Sequence, residues 1–131
     1  MAYSASEMTE WEFLAELARR ADCDILLDIN NVYVSAVNHG FSPHAFINAM
    51  PRERVRQFHL AGHHHYGSYI VDTHDAAIVD PVWDLYRAAV ALFGDVPTMI
   101  ERDANIPALE ELVAELDVAR RIARSVQAVA A

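Results

Sequence analysis

The stretch "DILLDI", residues 24–29, decides the fold of this 131-residue chain. It is apolar almost throughout, which is typical of a strand buried on both faces of a parallel sheet. Two further segments are predicted as strands, "RVRQFHLA" at 54–61 and "VPTMIE" at 96–101. Helical segments separate the three strands. Alternation of strands and helices indicates an α/β fold with a parallel sheet and right-handed crossovers.

Helical periodicity and capping residues predict helices before, between and after the strands. The first helix begins with a capping-box pair, Thr9 and Glu12. The segment that carries His39 is predicted as a loop. Three strands are too few for a closed (β/α)₈ barrel, which needs about 200 residues or more. The chain is therefore expected to be a single domain, either a small open α/β domain or part of a barrel. The predicted helices lie within residues 9–22, 42–50, 80–94 and 105–127.

Composition excludes several classes of protein. Hydrophobic residues make up 53% of the chain, so disorder is not expected, and no apolar run is long enough to span a membrane. The net charge of −9, with arginine as the only basic residue type, argues against nucleic acid or an anionic membrane as the main partner. The single cysteine, Cys23, forms no internal disulfide and favours a cytoplasmic setting. We expect Cys23 to be a buried structural residue.

Each predicted strand carries a potential metal ligand near its carboxyl end. These residues are Asp28, His59 and Glu101, and Asn30 and Asn31 follow the first of them. In parallel sheets and barrels, ligands bind at the carboxyl ends of the strands. Strand ends leave the core, so any one of these polar residues alone would be ordinary. All three together favour a functional site.

The loop before the third strand supplies further candidates within "GHHHYGSYIVDTHD", residues 62–75. Asp72 and His74 are two residues apart, and in an extended segment this spacing places both side chains on one side, where they would clamp one ion. We expect His63 to support the site, and His64 and His65 to lie in solvent.

Electrostatics favour a cation at this edge of the sheet. Asp28, Asp72 and Glu101 would converge there, and a metal ion would remove the repulsion between their carboxylates. Imidazole and carboxylate without thiolate suit non-haem iron, manganese or zinc. Arg102 would either bind an anionic substrate at the mouth of the site or pair with Asp103.

Several long strings of the sequence resemble one family, the multinuclear non-haem iron-dependent oxidative enzymes, which include the oxidase of methanobactin biosynthesis. The likeness covers about residues 6–118. The strings that carry it, in order, are "SEMTEWEFLAELARRADCDILLDINNVYVSAVNHGF", "RVRQFHLAGH", "VDTHD", "DPVWDLY" and "PTMIERDANIP".

The resemblance implies a (β/α)₈ barrel with two or three irons at its C-terminal face. It also implies O₂-dependent oxidation of cysteine residues in ribosomally made peptides, usually with a partner protein that presents the peptide. Carried over by motif, the metal ligands are Asp28, Asn31 (with Asn30 as the alternative), His59, Asp72, His74 and Glu101, with His63 as a supporting group.

The chain departs from the family pattern in length. Family members are about twice as long, and "MAYSASEM" begins just after the expected place of the family's "EN" motif. What is present matches the last three βα units of the barrel, with their strands and helices. We therefore expect a partial barrel with part of the iron site, and weak or absent activity of the chain alone.

Two other functions fit the same residues. A zinc- or manganese-dependent isomerase or hydrolase built on a barrel also uses His, Asp and Glu at strand ends. Alternatively, the chain is a non-catalytic fragment that binds a partner or forms a homo-oligomer through exposed sheet edges.

Overall fold

The computed structural model describes residues 5–94 and 96–130. Its helices and strands alternate largely as the sequence predicts, and α1 begins with the predicted capping box between Thr9 and Glu12. The elements are α1 (Glu10–Ala21), β1 (Ile25–Asp28), α2 (Ile29–His39), α3 (Pro43–Ala49), β2 (Val55–Ala61), β3 (His64–His65), β4 (Ile70–Val71), α4 (Asp80–Phe93), β5 (Thr98–Glu101) and α5 (Leu109–Ala130).

The main sheet has three parallel strands in the order β1–β2–β5. The predicted mixed α/β architecture with a parallel sheet is thus confirmed. Asp28 lies opposite His59 in the β1–β2 pair, and Ala61 lies opposite Glu101 in the β2–β5 pair. This register brings the carboxyl ends of the three strands to one edge of the sheet.

One face of the sheet carries the hydrophobic core. Leu27, Phe58 and Leu60 are fully buried on this face, against α4 residues that include Leu85 and Tyr86. The Tyr86 ring meets Phe58 edge-on, with centroids 5.7 Å apart. This packing anchors the central strand β2, whose carboxyl end carries the candidate site.

The opposite face of the sheet is open at Leu26 and Met99 and buried at His59 and Ala61, so the expectation that "DILLDI" is buried on both faces is wrong. Leu26 in β1 is 50% exposed and Met99 in β5 is 41% exposed. Leu26 alternates with the buried Ile25 and Leu27, and Met99 with the half-buried Thr98 and Ile100, because successive residues of a strand point to opposite faces. Among the described residues, the helices cover only the core face.

Helix α2 was not predicted, and it corrects the interpretation of His39 as a loop residue, because His39 is the last residue of this helix. It begins directly after β1, where the Asp28 side chain caps it by accepting the backbone N–H of Asn31 at 2.8 Å. Its sequence is rich in valine and asparagine, which are poor helix formers. Burial of Ile29, Val32 and Ala36 against the core outweighs that low propensity.

The segment between β2 and α4 contains a small antiparallel hairpin, β3–β4, which was also not predicted. His64 pairs with Val71, and His65 pairs with Ile70. The hairpin is held to α2 by Asn38, whose amide donates to the Ile70 carbonyl at 2.7 Å and accepts the Ile70 N–H at 2.9 Å. Residues His63 and Asp72 therefore flank a fixed hairpin.

Two expectations about the chain's surface can be compared with the structure. Cys23 is exposed, so its assignment as a buried residue is wrong; it follows the left-handed residue Asp22, which ends α1, and lies outside the core. Among the described helices, none is both long enough and apolar enough to cross a membrane.

Candidate metal centre

The centre of the site is His59, at the carboxyl end of β2. Its ring is only 3% exposed and lies between two carboxylates. Nδ1 is 2.6 Å from Asp28 Oδ2, and Nε2 is 2.9 Å from Glu101 Oε2. The strand register brings these three residues together, as the sequence predicts for the strand ends.

Asp28 links the helix cap to the site. One carboxylate oxygen caps α2, and the other accepts a hydrogen bond from His59 Nδ1. A carboxylate only accepts, and of the two ring nitrogens only Nδ1 has a hydrogen bond of acceptable geometry, so the proton of a neutral His59 lies on Nδ1 and Nε2 carries the lone pair. A carboxylate that accepts from one ring nitrogen, with the lone pair of the neutral ring on the other, is the usual arrangement of a metal-binding histidine.

His74 lies beside His59 and contacts three carboxylates. Its Nε2 is 3.0 Å from Asp72 Oδ1, and its Nδ1 is 3.0 Å from Glu101 Oε2 and 3.5 Å from Asp103 Oδ2. The ring centroids of His59 and His74 are 5.2 Å apart. Two imidazoles and several carboxylates therefore face one small volume.

The backbone at His74 differs from the extended segment that the sequence predicts. His74 has φ +52°, in the left-handed region. Its N–H donates to the Gly62 carbonyl at 3.1 Å, and its own carbonyl accepts from Asp103 N–H at 2.8 Å. Asp72 and His74 do meet, but through this turn rather than through strand alternation.

Two asparagines at the start of α2 hold the Asp72 carboxylate. Asn30 Nδ2 donates to Asp72 Oδ1 and to the Gly62 carbonyl. Asn31 Nδ2 donates to Asp72 Oδ2 at 3.0 Å. These hydrogen bonds fix the orientation of the Asp72 carboxylate, and the His74 imidazole lies on the remaining side of that carboxylate.

His63 lies next to this network without joining the cluster around His59. Its ring is 4% exposed, and its Nδ1 is 2.9 Å from Asn30 Oδ1. Burial lowers the pKa of His63 below its ordinary value, and the nearby His65 adds to that lowering, while Asp72 opposes it. His64 and His65 are exposed, as expected.

The carboxylates of the site favour a positive charge on His59. The hydrogen bond that His59 Nδ1 donates to Asp28 raises the pKa of His59 above its ordinary value, burial opposes this, and the charges of Asp28 and Glu101 and the approach of Glu101 to Nε2 add to the increase. The physical cause is the concentration of carboxylates around one buried ring. The same carboxylates would attract a metal cation.

The donor set fits a metal ion. Ligand atoms of Asp28, His59 and His74 lie within 4.8 Å of one another, and so do those of His74, Glu101 and Asp103. His59 Nε2 is buried and has no hydrogen bond of acceptable geometry to any described group, although Glu101 is within 2.9 Å. Imidazole nitrogen and carboxylate oxygen suit iron, manganese and zinc alike.

Arg102 points away from this cluster. Its guanidinium is 3.1 Å from Glu115 Oε2 in α5, and its side chain is 8% exposed. Asp103, the other partner considered from the sequence, lies near His74 instead. The Glu115 carboxylate also accepts the Ile78 N–H, so Arg102 helps to join the site loops to α5.

Asp103 and Gly62 belong to the site but were not predicted. Asp103 follows β5 by two residues, and the sequence analysis considered it only as a partner for Arg102. Gly62 has no side chain, yet its carbonyl accepts from both Asn30 and His74. The adjacency of Gly62 to His63 in "AGH" was the only available signal.

Replacing Asn30 with alanine is expected to lower the free energy of unfolding by about 2–3 kcal/mol. The change leaves His63 Nδ1 without its partner and removes the Asn30 donor from Asp72 Oδ1 and from the Gly62 carbonyl, which keeps only the His74 N–H. An unsatisfied buried polar group costs about 1–3 kcal/mol. Urea denaturation would measure this. Asn48→Ala in α3, where the side chain is exposed, is the control. Equal unfolding midpoints for the two variants would contradict the prediction.

Comparison with known proteins places these residues in a family context. The family model described as "RiPP precursor modification enzyme MbnB/TglH/ChrH" matches residues 1–124. The match includes every residue of the site described above.

Curated relatives are similar over nearly the whole chain. A UPF0276 protein of Anaeromyxobacter sp. (strain Fw109-5) is 56% identical over 115 residues, covering 88% of this chain and 41% of that protein. A UPF0276 protein of Caulobacter vibrioides (strain NA1000 / CB15N) is 52% identical, covering 92% and 43%. One from Pseudomonas aeruginosa (strain UCBPP-PA14) is 48% identical, covering 90% and 42%. The chain thus spans about two fifths of the length of these relatives.

Proposed function

Because the chain belongs to the family of the RiPP precursor modification enzymes MbnB/TglH/ChrH, we propose that its strand-end cluster is part of a multinuclear non-haem iron site. In this proposal the complete enzyme uses O₂ to oxidise cysteine residues of ribosomally made peptides. The family supports a peptide substrate, and the imidazole and carboxylate donors support a metal.

One observation carries the metal assignment. His59 Nε2 is buried, faces Glu101, and has no hydrogen bond of acceptable geometry among the described residues. A buried polar atom without a partner is costly in a folded protein. A metal ion between His59, Glu101 and His74 would remove that cost.

The proposed ligands are those carried over by motif: Asp28, Asn31, His59, Asp72, His74 and Glu101. Asp103 is a further candidate because its Oδ2 is 3.5 Å from His74 Nδ1. When bound, iron would supply a site for O₂ and for a substrate thiolate.

The chain's own residues would orient this site. Asp28 fixes the tautomer of His59, while Asn30 and Asn31 direct the Asp72 carboxylate. We propose that Arg102 binds an anionic group of the peptide, in exchange for its present partner Glu115.

We further propose that the three-stranded sheet is part of a (β/α)₈ barrel. Both β1 and β5 are edges of the described sheet, and one of its faces is open at Leu26 and Met99. Parallel sheets are ordinarily covered on both faces, so we expect further strands to complete the barrel. A partner protein that presents the peptide is proposed from the resemblance to the family alone.

Replacing Asp72 or His74 with alanine is expected to remove most of the bound iron after anaerobic loading with Fe²⁺. Both residues are proposed ligands, and Asp72 Oδ1 lies 3.0 Å from His74 Nε2. Iron per chain would be measured by mass spectrometry after desalting. Asp84→Ala and His44→Ala, at exposed positions of α4 and α3, are the matched controls.

The same measurement tests the identity of the metal. Iron content that is unchanged in Asp72→Ala and His74→Ala would reject the ligand assignment. Stoichiometric zinc in the purified chain, with no change in absorption on exposure to O₂, would instead favour a zinc-dependent hydrolase or isomerase.

A further inference from the structure

Arg102 places a positive charge between two carboxylates of the candidate metal centre. It directly follows Glu101 and precedes Asp103 in the chain. Both carboxylates approach His74 Nδ1, Glu101 at 3.0 Å and Asp103 at 3.5 Å. The Arg102 guanidinium contacts neither of them in the structure and instead donates to Glu115 Oε2 in α5 at 3.1 Å. One glutamate of a separate helix therefore holds the arginine that lies closest to the site in sequence.

The guanidinium of Arg102 depends on Glu115 for its pairing. Within the described part of the chain, the contact with Glu115 is its one hydrogen bond. The Arg102 side chain is 8% exposed, and its Nε is buried without a hydrogen-bond partner among those residues. A guanidinium has five N–H donors and does not lose its charge in proteins. Since a buried charge without a partner is costly, an arginine released by Glu115 would move to another carboxylate, and Glu101 and Asp103 are its neighbours.

Glu115 is held in place by a second contact. Its side chain is 15% exposed, and its Oε1 accepts the backbone N–H of Ile78 at 2.9 Å while Oε2 accepts from Arg102. Ile78 lies in the segment that precedes α4, and Glu115 lies in α5. The orientation of the Glu115 carboxylate therefore does not depend on Arg102 alone, and it offers the guanidinium an acceptor in a fixed direction.

We propose that Glu115 is a positioning residue that keeps the Arg102 guanidinium away from Glu101 and Asp103, so that these carboxylates stay free for a metal ion. The inference rests on the proposed metal site. A guanidinium and a metal ion bind the same lone pairs of a carboxylate oxygen. Without Glu115, Arg102 would compete with the metal from within the chain.

Glu115→Gln tests this role, because it removes the negative charge and keeps an oxygen that accepts the Ile78 N–H. We expect the affinity for Fe²⁺ to fall about 10–100-fold, the usual effect of losing a residue that supports metal ligands. Competition with a chromophoric chelator under anaerobic conditions would measure the affinity. Asp117→Asn is the matched control, because Asp117 pairs with the exposed Arg120 at 2.7 Å on the same helix. This control should bind Fe²⁺ as tightly as the unmodified chain.

The double variant Glu115→Gln/Arg102→Gln distinguishes competition by Arg102 from a general loss of packing. Removal of the competing charge is expected to restore most of the Fe²⁺ affinity that Glu115→Gln loses. If Glu115 only stabilises the packing of α5, the double variant will bind no better than Glu115→Gln, and the proposal is overturned. An unchanged affinity in Glu115→Gln would overturn it as well.

NMR of the metal-free chain provides a second measurement that depends on neither iron nor activity. In Glu115→Gln, the Arg102 Nε–H signal and the side-chain carboxyl carbon signals of Glu101 and Asp103 are expected to shift together, because the guanidinium moves onto those carboxylates. The same three signals should stay in place in Asp117→Asn. Unshifted signals in Glu115→Gln would overturn the proposal even if the chain binds iron. Failure of the unmodified chain to bind iron would instead reject the proposed function, so the two fail separately.

Discussion

Replacing Gly62 with alanine is expected to destabilise the chain by about 3 kcal/mol or more, at the upper end of the usual cost of overpacking. An added Cβ would lie 2.0 Å from the Ala76 carbonyl oxygen and 2.5 Å from its carbon. Both are backbone atoms, so no side-chain rotation relieves the clash. The segment between β2 and α4 would have to move as a whole.

The same substitution is expected to weaken metal binding. The Gly62 carbonyl accepts from Asn30 and from the backbone of His74, so displacement of residue 62 moves both. Urea denaturation and iron stoichiometry would be measured on the same preparation. The two readouts should fall together, because one backbone position supports both the packing and the site.

Gly67→Ala is the matched control for this prediction. Gly67 has φ +80° in the hairpin turn, and nothing lies within 4 Å of an added Cβ. Its replacement costs only the strain of a left-handed alanine, about 1–2 kcal/mol, and should leave iron binding intact. Equal losses of stability in the two variants would show that the contact with Ala76 is unimportant.

Replacing His59 with alanine is expected to weaken iron binding more than about a hundredfold, since loss of an outer-shell partner alone costs about 10–100-fold. His59 is the only proposed ligand in the central strand, and it lies between Asp28 and Glu101. Its removal also leaves those two carboxylates without the group that separates them. Competition with a chromophoric chelator under anaerobic conditions would measure the affinity.

His44→Ala is the control for the loss of a histidine. His44 lies exposed in α3, and its replacement should leave the iron affinity unchanged. Circular dichroism would establish that His59→Ala is folded. A folded His59→Ala that binds iron as tightly as the unmodified chain would exclude His59 from the site.

Local patterns in the sequence predicted most of the elements. The strand predicted at 54–61 is observed at Val55–Ala61, and the helix predicted at 80–94 is observed at Asp80–Phe93. Helix α2 escaped prediction because its valines favour strands and its cap, Asp28, was interpreted as a strand-end ligand. Its stability comes from burial, which propensity does not report.

The sequence by itself determined the parallel α/β sheet and the residues at its carboxyl edge, since apolar runs, caps and strand ends are local features. Only the tertiary structure decided how those residues meet. The Asp28–His59 bond, the left-handed turn at His74 and the contact of Gly62 with Ala76 all depend on packing between separate segments. The physical reason is that the direction of a side chain follows from its neighbours in space, and a linear pattern of residue types does not contain them.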